Sequence, residues 1–260
     1  MKTTTSKITI DSIVAAAENL KEVIVRTPLL TNHILSERYN ANIVLKREDL
    51  QVVRSYKIRG AFHKIHSLSK EQLKHGVVCA SAGNHAQGVA LACRKKGIHG
   101  TIYMPAPTPS QKVNQVKMFG KEHINVVLVG DTFDDAYAEA LTFSQSHGAV
   151  IIPPFDDSKI IEGQGTVGKE IIEDSTGPVD YLIVPIGGGG LAAGVSSYFK
   201  VLSPKTKIIG VEPAGAPAMQ KSLDAGERIT LDKIDKFVDG AAVQRVGELN
   251  FEICKDNLDR

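Results

Sequence analysis

An α/β protein built on parallel sheets is what this sequence predicts, and three observations carry that expectation. Short apolar runs recur at residues 77–80, 101–104, 124–129 and 181–186, and each is followed by a segment of helical periodicity. Three of those helical segments run into a glycine, Gly97, Gly120 and Gly148, the residue that most readily takes the left-handed turn closing a helix. The runs are also apolar throughout instead of alternating, which suits strands covered by helices on both faces.

In chain order, Asp11 is placed to cap a first helix through Val14, Ala15, Ala17 and Glu18, and Thr27-Pro28 breaks that pattern. A short helix follows over 32–39 and a strand over 43–46, which runs into Arg47-Glu48-Asp49. Ile58, Phe62, Ile65 and Leu68 then share one helical face, with Ser55 as the expected cap and Lys57 in the first turn. Strand-helix pairs come next at 77–80 with 85–96, 101–104 with 110–119, and 124–129 with 133–147. The last of these helices carries Phe133, Ala136, Tyr137, Ala140 and Leu141 on one face. A strand at 150–152 stops at Pro153-Pro154, and the glycine-spaced stretch Gly163 to Gly168 leads into a helix through Ile171 and Ile172. After 181–186 come four glycines, a helix over 191–202 and a strand over 207–211. Pro213, Gly215 and Pro217 mark a loop, and 220–236 shows no pattern.

Composition narrows the partners. The 260 residues include 42% hydrophobic and 23% charged side chains, enough chain and apolar surface for a sizeable core. Net charge is +2, from 31 basic and 29 acidic residues without a long run of either sign, so no nucleic-acid footprint is present and a small-molecule partner is expected. Cys79, Cys93 and Cys254 are odd in number and widely spaced, which argues for reduced thiols, against a disulfide framework or structural zinc, and for a cytoplasmic location. The polar start and the lack of any apolar run near eighteen residues predict neither a leader nor a membrane span.

Three segments carry candidate chemistry. Lys57 lies between Arg54 and Arg59, and like charges together with burial would free its amine near neutral pH for attack on a carbonyl. Gly187-Gly188-Gly189-Gly190 separates a strand from a helix start, where backbone N–H groups and the helix dipole can close on an anion. No Gly-Lys-Ser/Thr follows, which excludes the usual nucleoside-triphosphate loop. Gly187, Gly189 and Ala192 also fit a dinucleotide fingerprint, with Glu212 twenty residues later as its ribose ligand, so a nicotinamide dinucleotide and other phosphorylated cofactors stay unseparated on this segment. Ser81-Ala82-Gly83-Asn84-His85 occupies an equivalent strand-to-helix position. Its N–H groups could take a carboxylate, while Asn84 caps the helix or bonds a phenolic oxygen. Gly163 to Gly168 is a weaker loop of the same kind. His63 and His66 have metal-compatible spacing but fall off the apolar face without grouped carboxylates or thiols, and read as a solvated pair. Asp134-Asp135 read as helix N-terminal charge and Asp156-Asp157 as turn residues.

A lysine, an asparagine loop and a glycine cradle, in that order, resemble the fold-type-II enzymes that depend on pyridoxal 5′-phosphate, the tryptophan synthase β-like fold. The run Arg47-Glu48-Asp49-Leu50-Gln51-Val52-Val53-Arg54-Ser55-Tyr56-Lys57-Ile58-Arg59-Gly60-Ala61 is similar to the biosynthetic threonine dehydratase branch, as are Gly163-Gln164-Gly165-Thr166 and Val238-Asp239-Gly240-Ala241-Ala242-Val243. The resemblance implies two open, mostly parallel sheets flanked by helices, with residues 53–152 forming a smaller domain inserted between 1–52 and 153–260. It implies that Lys57 holds the cofactor aldehyde, that Asn84 bonds the pyridine 3′-oxygen, and that Gly187, Gly188, Gly189, Gly190 and Leu191 bind the phosphate. Ser81, Ala82, Gly83, Asn84 and His85 would bind the substrate carboxylate.

The implied reaction is dehydration and deamination of L-threonine to 2-oxobutanoate and ammonia, the first step of isoleucine biosynthesis, in a homo-oligomer. L-serine is the alternative substrate. Serine racemases of this fold carry serine where this chain has Ala82, and an acidic metal ligand near Ala218, so neither racemisation nor a metal site is expected. The resemblance also implies that the catalytic module continues past Arg260 and that the isoleucine-sensing regulatory domain is absent. That leaves two rivals open, a truncated, catalytically impaired cofactor-binding chain and, more remotely, an NAD-dependent oxidoreductase.

Overall fold

The computed structural model describes residues 8–260, so the first seven residues of the polar start discussed above lie outside it. Thr9 opens helix α1 (Ile10–Leu20) through a reciprocal pair of bonds with Ser12, each at 3.1 Å. The cap is therefore Thr9, and Asp11, expected in that place, instead adds its charge to the first turn. Strand β1 (Leu29–Thr31), helix α2 (His33–Tyr39) and strand β2 (Val44–Lys46) form a small unit in which β1 and β2 pair antiparallel, Leu29 opposite Lys46. β1 went unrecognised because three residues after a proline carry no periodicity.

The alternation expected from the apolar runs follows: α3 (Lys57–His66), β3 (Val77–Ala80), α4 (Asn84–Lys96), β4 (Gly100–Met104), α5 (Ser110–Gly120), β5 (Ile124–Leu128), α6 (Phe133–His147) and β6 (Val150–Ile151). These strands make one parallel sheet in the order β5-β4-β3-β6. All four residues of β3 are buried, as the unbroken apolar run requires. Gly97 and Gly148 close α4 and α6 in the left-handed conformation, at φ 65° and 73°. On α6 only Ala136 and Ala140 are buried, while Phe133 and Tyr137 stack on each other at 6.0 Å near the surface.

Helix α7 (Ser158–Asp174) leads to β7 (Tyr181–Pro185), α8 (Gly190–Leu202), β8 (Lys207–Val211), α9 (Ala218–Ala225) and α10 (Glu248–Asn257). β7 and β8 pair in parallel, Tyr181 opposite Lys207 through Pro185 opposite Val211. The glycine-spaced stretch read as a loop is the middle of α7. Its glycines serve helix contact: a Cβ at Gly163 would come within 2.7 Å of the Arg59 carbonyl oxygen, and one at Gly165 within 3.0 Å of the Gly194 carbonyl oxygen on α8. Backbones packed that closely leave no room for a side chain. One apolar cluster gathers Leu20, residues of 53–152 and Ile160, and a second gathers residues between Ile161 and Cys254. α7 contributes to both, so it sets the sheet carrying β3 against the sheet carrying β7.

Candidate active site

Lys57 is the first residue of α3, and α3 is held at that point from two sides. Ile58, Phe62 and Ile65 are buried, and the face of α4 at Gly88 lies so near that a Cβ there would be 3.1 Å from the Lys57 carbonyl. No side chain caps α3: Tyr56 occupies the cap position, and the Ser55 hydroxyl, expected to do so, is buried without a partner among the described residues. The Lys57 ammonium donates to the Pro154 carbonyl at 2.8 Å.

Burial pushes the Lys57 amine down to about 8. The flanking arginines are not the cause. Arg54 is exposed, and the wholly buried Arg59 turns its guanidinium onto two carboxylates. It meets Glu48 at 2.6 and 2.8 Å and Glu170 at 2.7 and 2.9 Å, which spend its charge away from Lys57. Burial, and then the nearby Lys57 charge, push His85 down to about 3. Its Nε2 therefore carries the proton that it donates to the Ile152 carbonyl at 2.9 Å. A neutral histidine tied in this way orients the start of α4 and exchanges no proton near pH 7.

The asparagine loop sits at that start. Asn84 is the first helical residue, with Gly83 in the cap position, so the expected Asn84 cap is not made. Its exposed side chain has no bonded partner among the described residues. The Gly83 N–H bonds the Ser81 hydroxyl at 3.2 Å, while the N–H groups of Ala82, Asn84 and His85 have no acceptor among the described residues. Gly187 to Leu191 show the same property more fully. None of their five N–H groups meets an acceptor among the described residues, and Gly189, at φ 97°, takes a conformation that admits glycine and little else. An N–H array of this kind at a helix start fits a phosphate, and a desolvated amine beside it fits an aldehyde. The residues therefore suit pyridoxal phosphate.

Two chains of contact bring these segments together. Lys57 reaches Pro154, and the next residue, Phe155, packs against Gly188 and Gly190. Asn84 Nδ2 lies 3.9 Å from where a Gly240 Cβ would be, and the Ala241 backbone lies 3.0 Å from a Cβ position at Gly187. Lys112 of α5 pairs with Asp239 beside that loop. Pro154, Phe155 and Ala241 were not singled out as site residues, because each acts through backbone or bulk and leaves no local sequence signal. Asp156 and Asp157 do more than turn the chain. Asp157 caps α7, accepting from Lys159 N at 2.8 Å, and Asp156 accepts from Glu248 N and Leu249 N at the start of α10, at 2.8 and 3.0 Å.

Other candidates are removed from the cleft. His63 is not solvated but buried, its Nε2 3.0 Å from Glu162 of α7. Glu212, the acid that a dinucleotide site would need, accepts the Met219 and Gln220 N–H groups at 2.8 Å each and so caps α9. Cys79, Cys93 and Cys254 are all buried and unpaired.

Comparison with known proteins agrees with this geometry. The chain is 60% identical over 253 residues to the biosynthetic L-threonine dehydratase of Halalkalibacterium halodurans, covering 97% of this chain and 61% of that protein. It is 54% identical to that of Bacillus subtilis, covering 98% of this chain and 60% of that one. It thus spans about three fifths of the length of these relatives. Among solved structures, the processed form of threonine deaminase isoform 2 from Solanum lycopersicum is 44% identical with a TM-score of 0.90, over 96% of this chain and 73% of that chain. Maize serine racemase is 34% identical with a TM-score of 0.92, over 96% of this chain and 75% of that chain. The family described as pyridoxal-phosphate dependent enzyme matches residues 20–260, nearly the whole chain, and the chain belongs to that family.

Proposed function

We propose that this chain binds pyridoxal phosphate at Lys57 and catalyses the β-elimination of L-threonine to 2-oxobutanoate and ammonia. The observation that carries the reading is the desolvated Lys57 amine, set one loop away from five N–H groups without acceptors. When bound, the cofactor supplies an aldehyde for amine capture and an electron-poor ring that stabilises charge at Cα. Lys57 Nζ would hold the aldehyde and, as a free amine, would take the proton from the substrate Cα. With its pKa near 8, about a tenth of the freed amine is unprotonated at pH 7, enough for a general base of useful strength.

Gly187, Gly188, Gly189, Gly190 and Leu191 would hold the phosphate through their N–H groups, and the Asn84 amide, unpartnered among the described residues, would bond the pyridine 3′-oxygen. The loop Ser81, Ala82, Gly83, Asn84 and His85 orients the substrate carboxylate at the start of α4, through the N–H groups of Ala82, Asn84 and His85 that have no acceptor among the described residues, and the helix dipole adds attraction there. His85 stays neutral there and does not compete for that carboxylate as a counter-ion. Loss of the β-hydroxyl as water leaves an enamine that hydrolyses to the oxo acid and ammonia. Ala82 offers no hydroxyl as a second base, which supports elimination over racemisation. The relatives named as threonine dehydratases support threonine as the substrate, with serine the second choice.

We place the activity in the cytoplasm and in a homo-oligomer; none of the described helices is long and apolar enough to cross a membrane. We keep 53–152, which carries Lys57 and the asparagine loop, as a smaller unit inserted between 1–52 and 153–260, the latter carrying the tetraglycine loop. A visible absorption spectrum with added cofactor, before and after borohydride, tests the reading beside a Lys57→Ala variant. A reducible band in the parent and none in the variant is the expected result, followed by 2-oxobutanoate formation from threonine. The absence of any band would remove the cofactor assignment. A band without turnover on threonine or serine would retain binding and remove the dehydratase.

A further inference from the structure

The first turn of α10 sits behind the tetraglycine loop. Its third residue, Asn250, is wholly buried, and the functional roles assigned above do not use it. The Asn250 Nδ2 donates to the Gly188 carbonyl at 2.8 Å and to the Phe155 carbonyl at 3.2 Å. The Gly247 N–H gives the same Gly188 oxygen a second bond at 3.1 Å. Both partners of Nδ2 are carbonyl oxygens, so the amide has one orientation, and its Oδ1 is left without a donor among the described residues. A buried acceptor left unsatisfied carries a cost. Both bonds that the amide does make are spent on the main chain of other segments.

What it does follows from the peptide plane. In a trans peptide the carbonyl and the following N–H point in opposite directions. Holding the Gly188 oxygen against α10 therefore aims the Gly189 N–H away from α10. The peptide in question joins two glycines, the second at φ 97°, so no side chain resists its rotation. Its direction has to be imposed from outside the loop. The other branch of the same amide holds Phe155, next to Pro154, whose carbonyl takes the Lys57 ammonium. Asp156 then ties that segment to the Glu248 and Leu249 N–H groups of α10.

We propose that Asn250 is a positioning residue for the anion cradle: its amide fixes the direction of the Gly189 N–H and, through Phe155, the spacing between the cradle and Lys57. The proposal rests on the reading of Gly187 to Leu191 as a phosphate site. The test compares two probes that differ only in the phosphate, pyridoxal phosphate and pyridoxal, by titrating the full chain and its Asn250→Ala and Asn250→Ser variants and following absorbance. The readout is the ratio of the two affinities within each protein, in which a general loss of stability cancels.

The parent should prefer the phosphorylated probe, and Asn250→Ala should lose roughly tenfold of that preference, the effect of one well-placed hydrogen bond misdirected. Asn250→Ser, whose hydroxyl stops one bond short of the Nδ2 position, leaves a smaller gap and should also lose preference for the phosphate, while pyridoxal affinity changes little throughout. An unchanged ratio in folded Asn250→Ala, or equal losses for both probes, overturns the positioning role. If the alanine variant does not fold, an unchanged ratio in the serine variant overturns it equally. A parent without preference for the phosphate overturns the cradle reading itself and takes this role with it.

Discussion

Burial lowers the Lys57 ammonium from the ordinary 10.5 to about 8, and the stability consequence is opposite to that of an ion pair. Below about pH 8 the lysine is protonated whether folded or not, and folding carries the cost of desolvating it. Between about 8 and 10.5 the unfolded chain keeps a proton that the folded chain has released, so this residue's contribution rises with pH across that window. Above 10.5 the amine is neutral in both states and the cost is gone. Lys57→Met, without cofactor, should therefore be more stable than the parent by about 1–3 kcal/mol at pH 7, the difference closing by about pH 11. Urea melts of the two proteins across that range check it. A difference that stays constant with pH would remove desolvation as the cause. Arg59, two residues on, shows why charge adjacency in sequence misled: a guanidinium that spends both edges on Glu48 and Glu170 has little field left for its neighbour.

That same arginine decides how two helices meet. It stands on α3, its partner Glu170 on α7, and Lys46 of β2 meets the same carboxylate at 2.7 Å. Removing the guanidinium leaves buried carboxylates without their main counter-ion, so Arg59→Met should cost about 3–5 kcal/mol in a denaturant melt. Arg59→Lys should recover only part of it, since one ammonium cannot serve both forks. At the α7–α8 crossing, Gly194→Ala should cost about 1–3 kcal/mol, because the added methyl meets the Ile161 carbonyl and the Gly165 backbone. A neutral result there would show that the helices can separate freely.

Elements such as these also mark the limit of what the sequence reveals. Strands β3 and β8 and helix α6 were legible to the residue, because an apolar run or a helical face closed by glycine or a turn is a local signal. The places of Lys57, Asn84 and Gly187 to Leu191, each on or beside a loop between regular elements, were legible for the same reason, and their roles are those proposed above. The glycines of α7 were misread because their spacing suits a phosphate loop as well as a helix crossing. What separates the two is Gly194, far along the chain. His63 was misread likewise, its partner Glu162 lying 99 residues away. Asn250 and Phe155 touch the loop of four glycines only through a carbonyl and bulk, and nothing in their neighbours announces it.

The second sheet carries the largest consequence for the molecule as a whole. Parallel sheets are ordinarily covered on both faces, and the apolar run 181–186 led to that expectation here. Instead β7 alternates, with Leu182 and Val184 inside while Tyr181 and Ile183 are 67% and 68% exposed. The far side of β8 is occupied by the chain itself, Asp259 N donating to the Ile208 carbonyl at 2.9 Å and Gly210 N to that of Arg260 at 2.8 Å. The outer edge of β7 pairs with nothing among the described residues. An open apolar face joined to a free strand edge favours association with another copy. Light scattering over a concentration series should show the chain self-associating, and Ile183→Lys should shift that association to higher concentration by roughly tenfold, the effect of setting a charge in a contact that excludes water. Ile183 lies two residues before the end of β7, outside the cleft, so the borohydride-reducible band should be unchanged in this variant. If Ile183→Lys associates as the parent does, the contact belongs elsewhere. The next surface to charge would then be α2, which buries none of its residues and leaves Ile34 79% and Tyr39 61% exposed.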